Sequence, residues 1–123
     1  MLEAKTLTSE YSDTERKQLL RLAHLAIAAE LEGTALDRNP PSSHLAQPRG
    51  VFTSLHLHGR LRGCIGYVMP IHPLYHAVAD TAAAAAFRDP RFEPVSEAEL
   101  LLLQLEISVL SPTVPILPSF WHL

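Results

Sequence analysis

The densest run of unusual residue choices in the chain is Leu61-Arg62-Gly63-Cys64-Ile65-Gly66, where two glycines flank the single cysteine in a segment that also carries an arginine. A thiolate is the nucleophilic form of cysteine, and a cationic neighbour favours it. In an extended segment Arg62 and Cys64 share a face by the two-residue period. Glycine weakens a strand, so its presence marks a bulge, a bend or something that approaches the backbone closely. On this reading Arg62 contacts an anionic group, Gly63 and Gly66 let it reach the backbone, and Cys64 lines the site. A cysteine-dependent enzyme is the competing reading, with Cys64 as nucleophile and His56 or His76 as base. No complete Cys-His-acid arrangement is legible from spacing. The plainer alternative makes Cys64 a small buried apolar side chain and has the glycines admit an alanine-rich helix.

Other residues present chemistry less completely. His56 and His58 fall on one face of a strand pattern, and His72 and His76 are one helical turn apart, so with Cys64 they could converge on zinc. The spacing fits no standard zinc motif, His72 falls before the helix, and solvated histidines are the expectation; no metal site is assigned. The chain has no Gly-rich phosphate loop and no metalloprotease helix, and no cofactor is expected. Asp89 and Arg91 are read as tying the loop after a helix. Glu106, a lone carboxylate in an apolar strand pattern, either faces solvent or stands beside the ligand face.

The net charge of −3 divides unevenly. Residues 1–37 carry seven acids against four bases, residues 38–79 carry four arginines and no acid, and residues 80–123 carry six acids against two arginines. Five of the seven histidines also lie in the acid-free segment. A basic segment can face an anion. Absence of lysine from that segment and scarcity of interleaved aromatics there argue against a regulatory nucleic-acid-binding module, which stays as an alternative. With 123 residues, 47% apolar and 19% charged, the chain has the size and composition of one globular domain. One cysteine makes no internal disulfide, no signal-like start is present, and no apolar run approaches the roughly 20 residues of a membrane helix. A cytoplasmic protein without membrane association is expected.

The elements that must position these residues follow from period and punctuation. Ser12-Asp13-Thr14-Glu15 has capping-box spacing, and Leu19, Leu22, Ala23 and Ala26 recur at helical intervals up to Gly33, a suitable left-handed stop. Residues 33–48, with Asn39-Pro40-Pro41, read as a loop. From Gly50 the period becomes two, and a short connection at His58-Gly59-Arg60 joins two strands into an antiparallel hairpin over residues 50–68. Pro73 fits the first turn of a second helix, whose apolar face is Leu74, Ala77, Val78, Thr81, Ala82 and Ala85 and which Asp89-Pro90 breaks. Ser96-Glu97-Ala98-Glu99 repeats the capping pattern for one turn, and a long strand from Leu101 to Leu110 follows. The result is an α+β domain, an antiparallel sheet covered by helices on at least one side. The tail from Pro112 to Leu123 fits no element.

Four blocks, in this order and spacing, carry a family resemblance: Arg49-Gly50-Val51-Phe52, the cysteine motif, Ala85-Ala86-Phe87-Arg88-Asp89-Pro90-Arg91-Phe92, and Glu106-Ile107-Ser108-Val109-Leu110-Ser111. They resemble the AMMECR domain, the domain of the AMME-syndrome candidate protein and of the prokaryotic proteins called AmmeMemoRadiSam system protein A. The resemblance spans about residues 46–116. It implies an antiparallel sheet with flanking helices, and company in the form of a Memo-like protein and a radical SAM enzyme, without bringing an established reaction. Within it the expected ligand-binding set is Arg62, Gly63, Gly66, Arg49 and Glu106, with Cys64 the candidate catalytic residue. Family members continue beyond the fourth block with further strands and a helix. The expectation is therefore an incomplete domain: an N-terminal tail over residues 1–11, a core over 12–116, and a divergent tail over 117–123. An unpaired strand left at the sheet edge would favour self-association.

Overall fold

A computed structural model describes residues 10–110 of the chain. Helix α1, Asp13–Glu32, begins at the expected capping box: the Ser12 hydroxyl accepts the Glu15 N–H at 3.1 Å, and the Glu15 carboxylate accepts the Ser12 N–H at 3.0 Å. It stops at Gly33, which takes a left-handed φ of 70°. The loop that follows contains one short 3₁₀ turn, His44–Ala46. Strands β1, Val51–Leu57, and β2, Arg60–Tyr67, form the hairpin. Both residues of the turn have positive φ, 53° at His58 and 79° at Gly59, as a two-residue turn matched to strand twist requires. His58 therefore leaves the strand, and the expected pairing of His56 with His58 on one strand face does not form.

Helix α2 covers Leu74–Phe87, and Pro73 sits at its cap, one position before the expected first turn. The Leu74 N–H donates to the Gln47 carbonyl at 2.8 Å instead of standing free. A one-turn helix α3, Glu97–Leu100, carries the second capping box. Strand β3 is Gln104–Val109, shorter than the run expected from Leu101. Leu101 and Leu102 fall in the turn that leaves α3 and are exposed. Tyr11, expected in a tail, is buried in the core, because its phenol ring finds both a ring to stack on and a hydrogen-bond partner, described below. The residues of the two expected C-terminal tail segments lie outside the described range.

The three strands form one antiparallel sheet in the order β2-β1-β3. Its two faces differ. Val51, Thr53 and Leu55 of β1 and Ile107 and Val109 of β3 are buried beneath the helices. There the hydroxyls of Thr53 and Thr81 of α2 meet at 2.9 Å. Each fully buried Val or Leu contributes roughly 1.5–3 kcal/mol relative to exposure, so this face supplies most of the driving force for docking α1 and α2. The opposite face carries Phe52, Ser54, His56, Cys64 and Ser108, half-buried, with Gln104 and Glu106 exposed.

Candidate functional site

Cys64 lies on the open face, opposite Ser54, which is in turn opposite Glu106, so the three form one row across the sheet. The Ser54 hydroxyl donates to Cys64 Sγ at 3.3 Å. No histidine nitrogen is hydrogen bonded to that sulfur among the described residues. Glu106, two strands away at about 10 Å by strand spacing, is on the same open face of the sheet as Cys64 and is exposed.

The main chain of Cys64 is held from outside the sheet. β2 is an edge strand, and its Cys64 N–H donates to the Asp89 carboxylate at 3.0 Å. Arg91 donates to the same carboxylate through its backbone N–H, Nε and Nη2, and its Nη2 also reaches the Cys64 carbonyl at 3.5 Å. The buried Asp89 carboxylate thus accepts four N–H groups, filling its acceptor capacity. The Arg91 guanidinium, outweighing the opposing effect of burial, holds Asp89 well below the usual carboxylate range, with the Cys64 N–H adding to it. The expected role for Asp89 and Arg91 in tying the loop is what the geometry displays, and the loop is tied to the cysteine strand.

The two glycines of the motif serve opposite faces. A side-chain carbon at Gly63 would collide with the backbone carbonyl of Ala85, because α2 crosses β2 there in direct backbone contact. At Gly66 it would collide with the ring of Phe52, which lies across the strand on the open face.

Arg62 and Arg49 are engaged by carboxylates of the chain itself. The pairing register shifts between Leu55 and His56, leaving Arg62 as the extra residue of a bulge. Its guanidinium forms a two-pronged pair with Glu99 at 3.0 and 3.1 Å and donates to the carbonyls of Glu93, at 2.6 Å, and Pro94, at 3.3 Å. Glu99 is at the same time the capping residue of α3, so the second capping box anchors the cysteine strand. Arg49 is buried, pairs with both oxygens of Glu10 at 2.5 and 3.0 Å, and donates to Tyr11 at 3.0 Å and Gln47 at 3.2 Å. Arg38 pairs with Asp80. Three of the four arginines in the acid-free segment are therefore matched by acids from other parts of the chain. Among the described residues no group of three or more His, Cys, Asp or Glu side chains is arranged so that it could hold a metal ion, and no helix is long and apolar enough to cross a membrane.

Sequence reasoning missed Ser54, Glu99 and the coupling of Asp89 to Cys64. The clue for the last was the proximity of two unusual blocks in one short chain. The four blocks converge physically: Gly50 closes against the carbonyls of Tyr67 and Val68 and accepts the Leu110 N–H, while the cysteine motif meets Ala85, Asp89 and Arg91.

The fold is that of an α+β domain with a three-stranded antiparallel sheet, and sequence comparison identifies its family. The chain belongs to the AMMECR1 family, which it matches over residues 20–123. A protein of Methanothermobacter thermautotrophicus is 42% identical over 107 residues, covering 85% of this chain and 56% of that protein. One from Methanopyrus kandleri is 43% identical over 102 residues, covering 80% and 49%. The crystal structure of uncharacterized protein PH0010 from Pyrococcus horikoshii superposes with a TM-score of 0.71 at 39% identity, over 76% of this chain and 50% of that one. The chain spans about half the length of the curated relatives it matches.

Proposed function

We propose that this AMMECR1-family chain is a binding component, acting in the cytoplasm, that presents the Cys64 strand to a small anionic ligand or to an acidic group of a partner. The observation that carries the reading is the arrangement around Cys64: its main chain is fixed by Asp89 and Arg91 while its side chain stays accessible. Of the expected ligand-binding residues, Gly63, Gly66 and Arg62 build the strand, Arg49 secures the entry to β1, and Glu106 borders the site. Arg91 is the cation offered to the anion, because its side chain is 58% exposed and its Nη1 makes no hydrogen bond among the described residues. A binding role is preferred to Cys64 acting as a nucleophile because the sulfur has a serine, not a histidine base, as its hydrogen-bond partner. It is preferred to nucleic-acid binding because the basic segment is largely neutralised internally. A Memo-like protein and a radical SAM enzyme are the proposed company, on the strength of the family resemblance. A second copy joined at the outer edge of β3, which has no neighbouring strand among the described residues, is the proposed route to self-association.

Titration with inorganic phosphate, followed through backbone amide NMR shifts, tests the site. Saturable shifts confined to Ser54, Cys64, Ile65 and Arg91, weakened at least several-fold in Arg91→Gln, are expected. Shifts scattered over the surface, or unaltered by that substitution, would overturn the proposal.

A further inference from the structure

A second cluster of titratable groups lies away from the cysteine strand, where three segments meet. His44, in the 3₁₀ turn, points its Nδ1 at Glu15 of α1, 2.7 Å from Oε2, and its Nε2 at Glu10, 3.4 Å from Oε2. Its ring stacks on Tyr11 with centroids 4.6 Å apart and planes 11° from parallel. From the segment entering β1, Arg49 grips Glu10 and the Tyr11 hydroxyl. Among the described residues, these four, Glu10, Tyr11, Glu15 and Arg49, are the titratable and charged groups facing His44 from the elements around it.

The geometry restricts the protonation state. An ionised carboxylate only accepts, and a neutral imidazole carries one N–H and one lone pair, so it can satisfy one of these carboxylates and must turn a lone pair toward the other. The imidazolium, with two N–H groups, satisfies both. Charge points the same way: Glu10 and Glu15 bring two negative charges against the single positive charge of Arg49, and a protonated His44 balances the cluster.

We propose that His44 is a proton-operated clasp, closed when the ring is doubly protonated, that joins the 3₁₀ turn to the start of α1 and to the Glu10-Tyr11 segment. Burial favours the neutral ring, but the Glu15 and Glu10 carboxylates together outweigh it and raise the His44 pKa above its ordinary value. The stabilisation is then complete below the ordinary histidine value of about 6.5 and is lost as pH rises through the raised value. On deprotonation the Nδ1–H can stay on Glu15, whereas the contact to Glu10 is lost, so the Glu10-Tyr11 segment is the part that loosens.

The test is a ¹H–¹³C NMR titration of the histidine rings of the full chain, with His44 assigned by its ring-to-ring NOEs to the stacked Tyr11. The expected midpoint for His44 lies above about 6.5 and falls in Glu15→Gln, a variant that keeps a residue suited to the capping box. Urea midpoints of the wild-type chain should drop across the same pH interval, and those of His44→Gln should not. A His44 midpoint at or below the ordinary value overturns the clasp even if His44→Gln fails to fold, and so does an identical pH profile in the two proteins.

Discussion

The two faces of the sheet use the same strand in different ways. On the helix-covered face β2 contributes Gly63, where the absence of a side chain lets the Ala85 carbonyl of α2 come into contact with the strand. On the open face the strand contributes Cys64 and Gly66, one hydrogen bonded to Ser54 and the other roofed by Phe52. The contrast separates two meanings of an unusual residue. A glycine against a rigid helix backbone is there for assembly, whereas the half-buried thiol and the Phe52 side-chain ring over Gly66 belong to a face that no helix covers.

The largest effect should come from Gly63→Ala. The atom that its Cβ meets belongs to a helix backbone, so neither partner can rotate away and α2 must shift against β2. Overpacking of this kind costs at least the upper end of about 1–3 kcal/mol, read as a fall in the urea midpoint. A loss below 1 kcal/mol would remove the distinction between the faces.

The buried hydroxyl pair sharpens the same comparison. Thr81 Oγ1 lies 2.8 Å from the Ala77 carbonyl and uses its hydrogen there, so Thr53 is the donor to Thr81. Thr81→Val then strands the Thr53 hydroxyl in the core, at a cost of about 1–3 kcal/mol, while Thr53→Val removes the donor and leaves Thr81 bonded, at about 1 kcal/mol or less. Equal losses in the two variants would overturn the assignment of Thr53 as the donor.

How much of this was legible in the sequence follows the distance over which the forces act. Both capping boxes, the helix stop at Gly33 and the hairpin were readable because each is a local preference of adjacent residues. Arg62 was readable as unusual but not as a partner of Glu99, 37 residues on, because the bulge that directs it there leaves no periodic trace. Likewise Arg49 read as a free cation, since Glu10 lay in what looked like a tail. The start of β3 was misplaced at Leu101 because exposed Leu101 and Leu102 continue an apolar alternation that the turn after α3 interrupts. Cys64 stood out by its flanking glycines, but its anchoring by Asp89 depends on a contact 25 residues apart. What stayed hidden was therefore the pairing of charges across the fold, which no window of sequence contains.

The smallest effect should come from Gly66→Ala, although it lies in the same strand and its added carbon meets an atom equally close. The difference is in what yields. Phe52 is half-buried on the open face, and its ring can turn about its own side-chain bonds where the Ala85 carbonyl cannot. The expected cost is about 1 kcal/mol, the lower end of the overpacking range. Because the strain is confined to one pair, it should not add to that of Phe52→Leu: the double variant should be more stable than the sum of the two losses by at least about 0.5 kcal/mol. Removing the ring also uncovers the strand beside Cys64, so the phosphate-induced shift at Ile65 should change in Phe52→Leu while the urea midpoint moves little. If Gly66→Ala instead destabilised the chain as strongly as Gly63→Ala, with strict additivity, the Phe52 face would be as rigid as the helix face and would offer no room for a ligand.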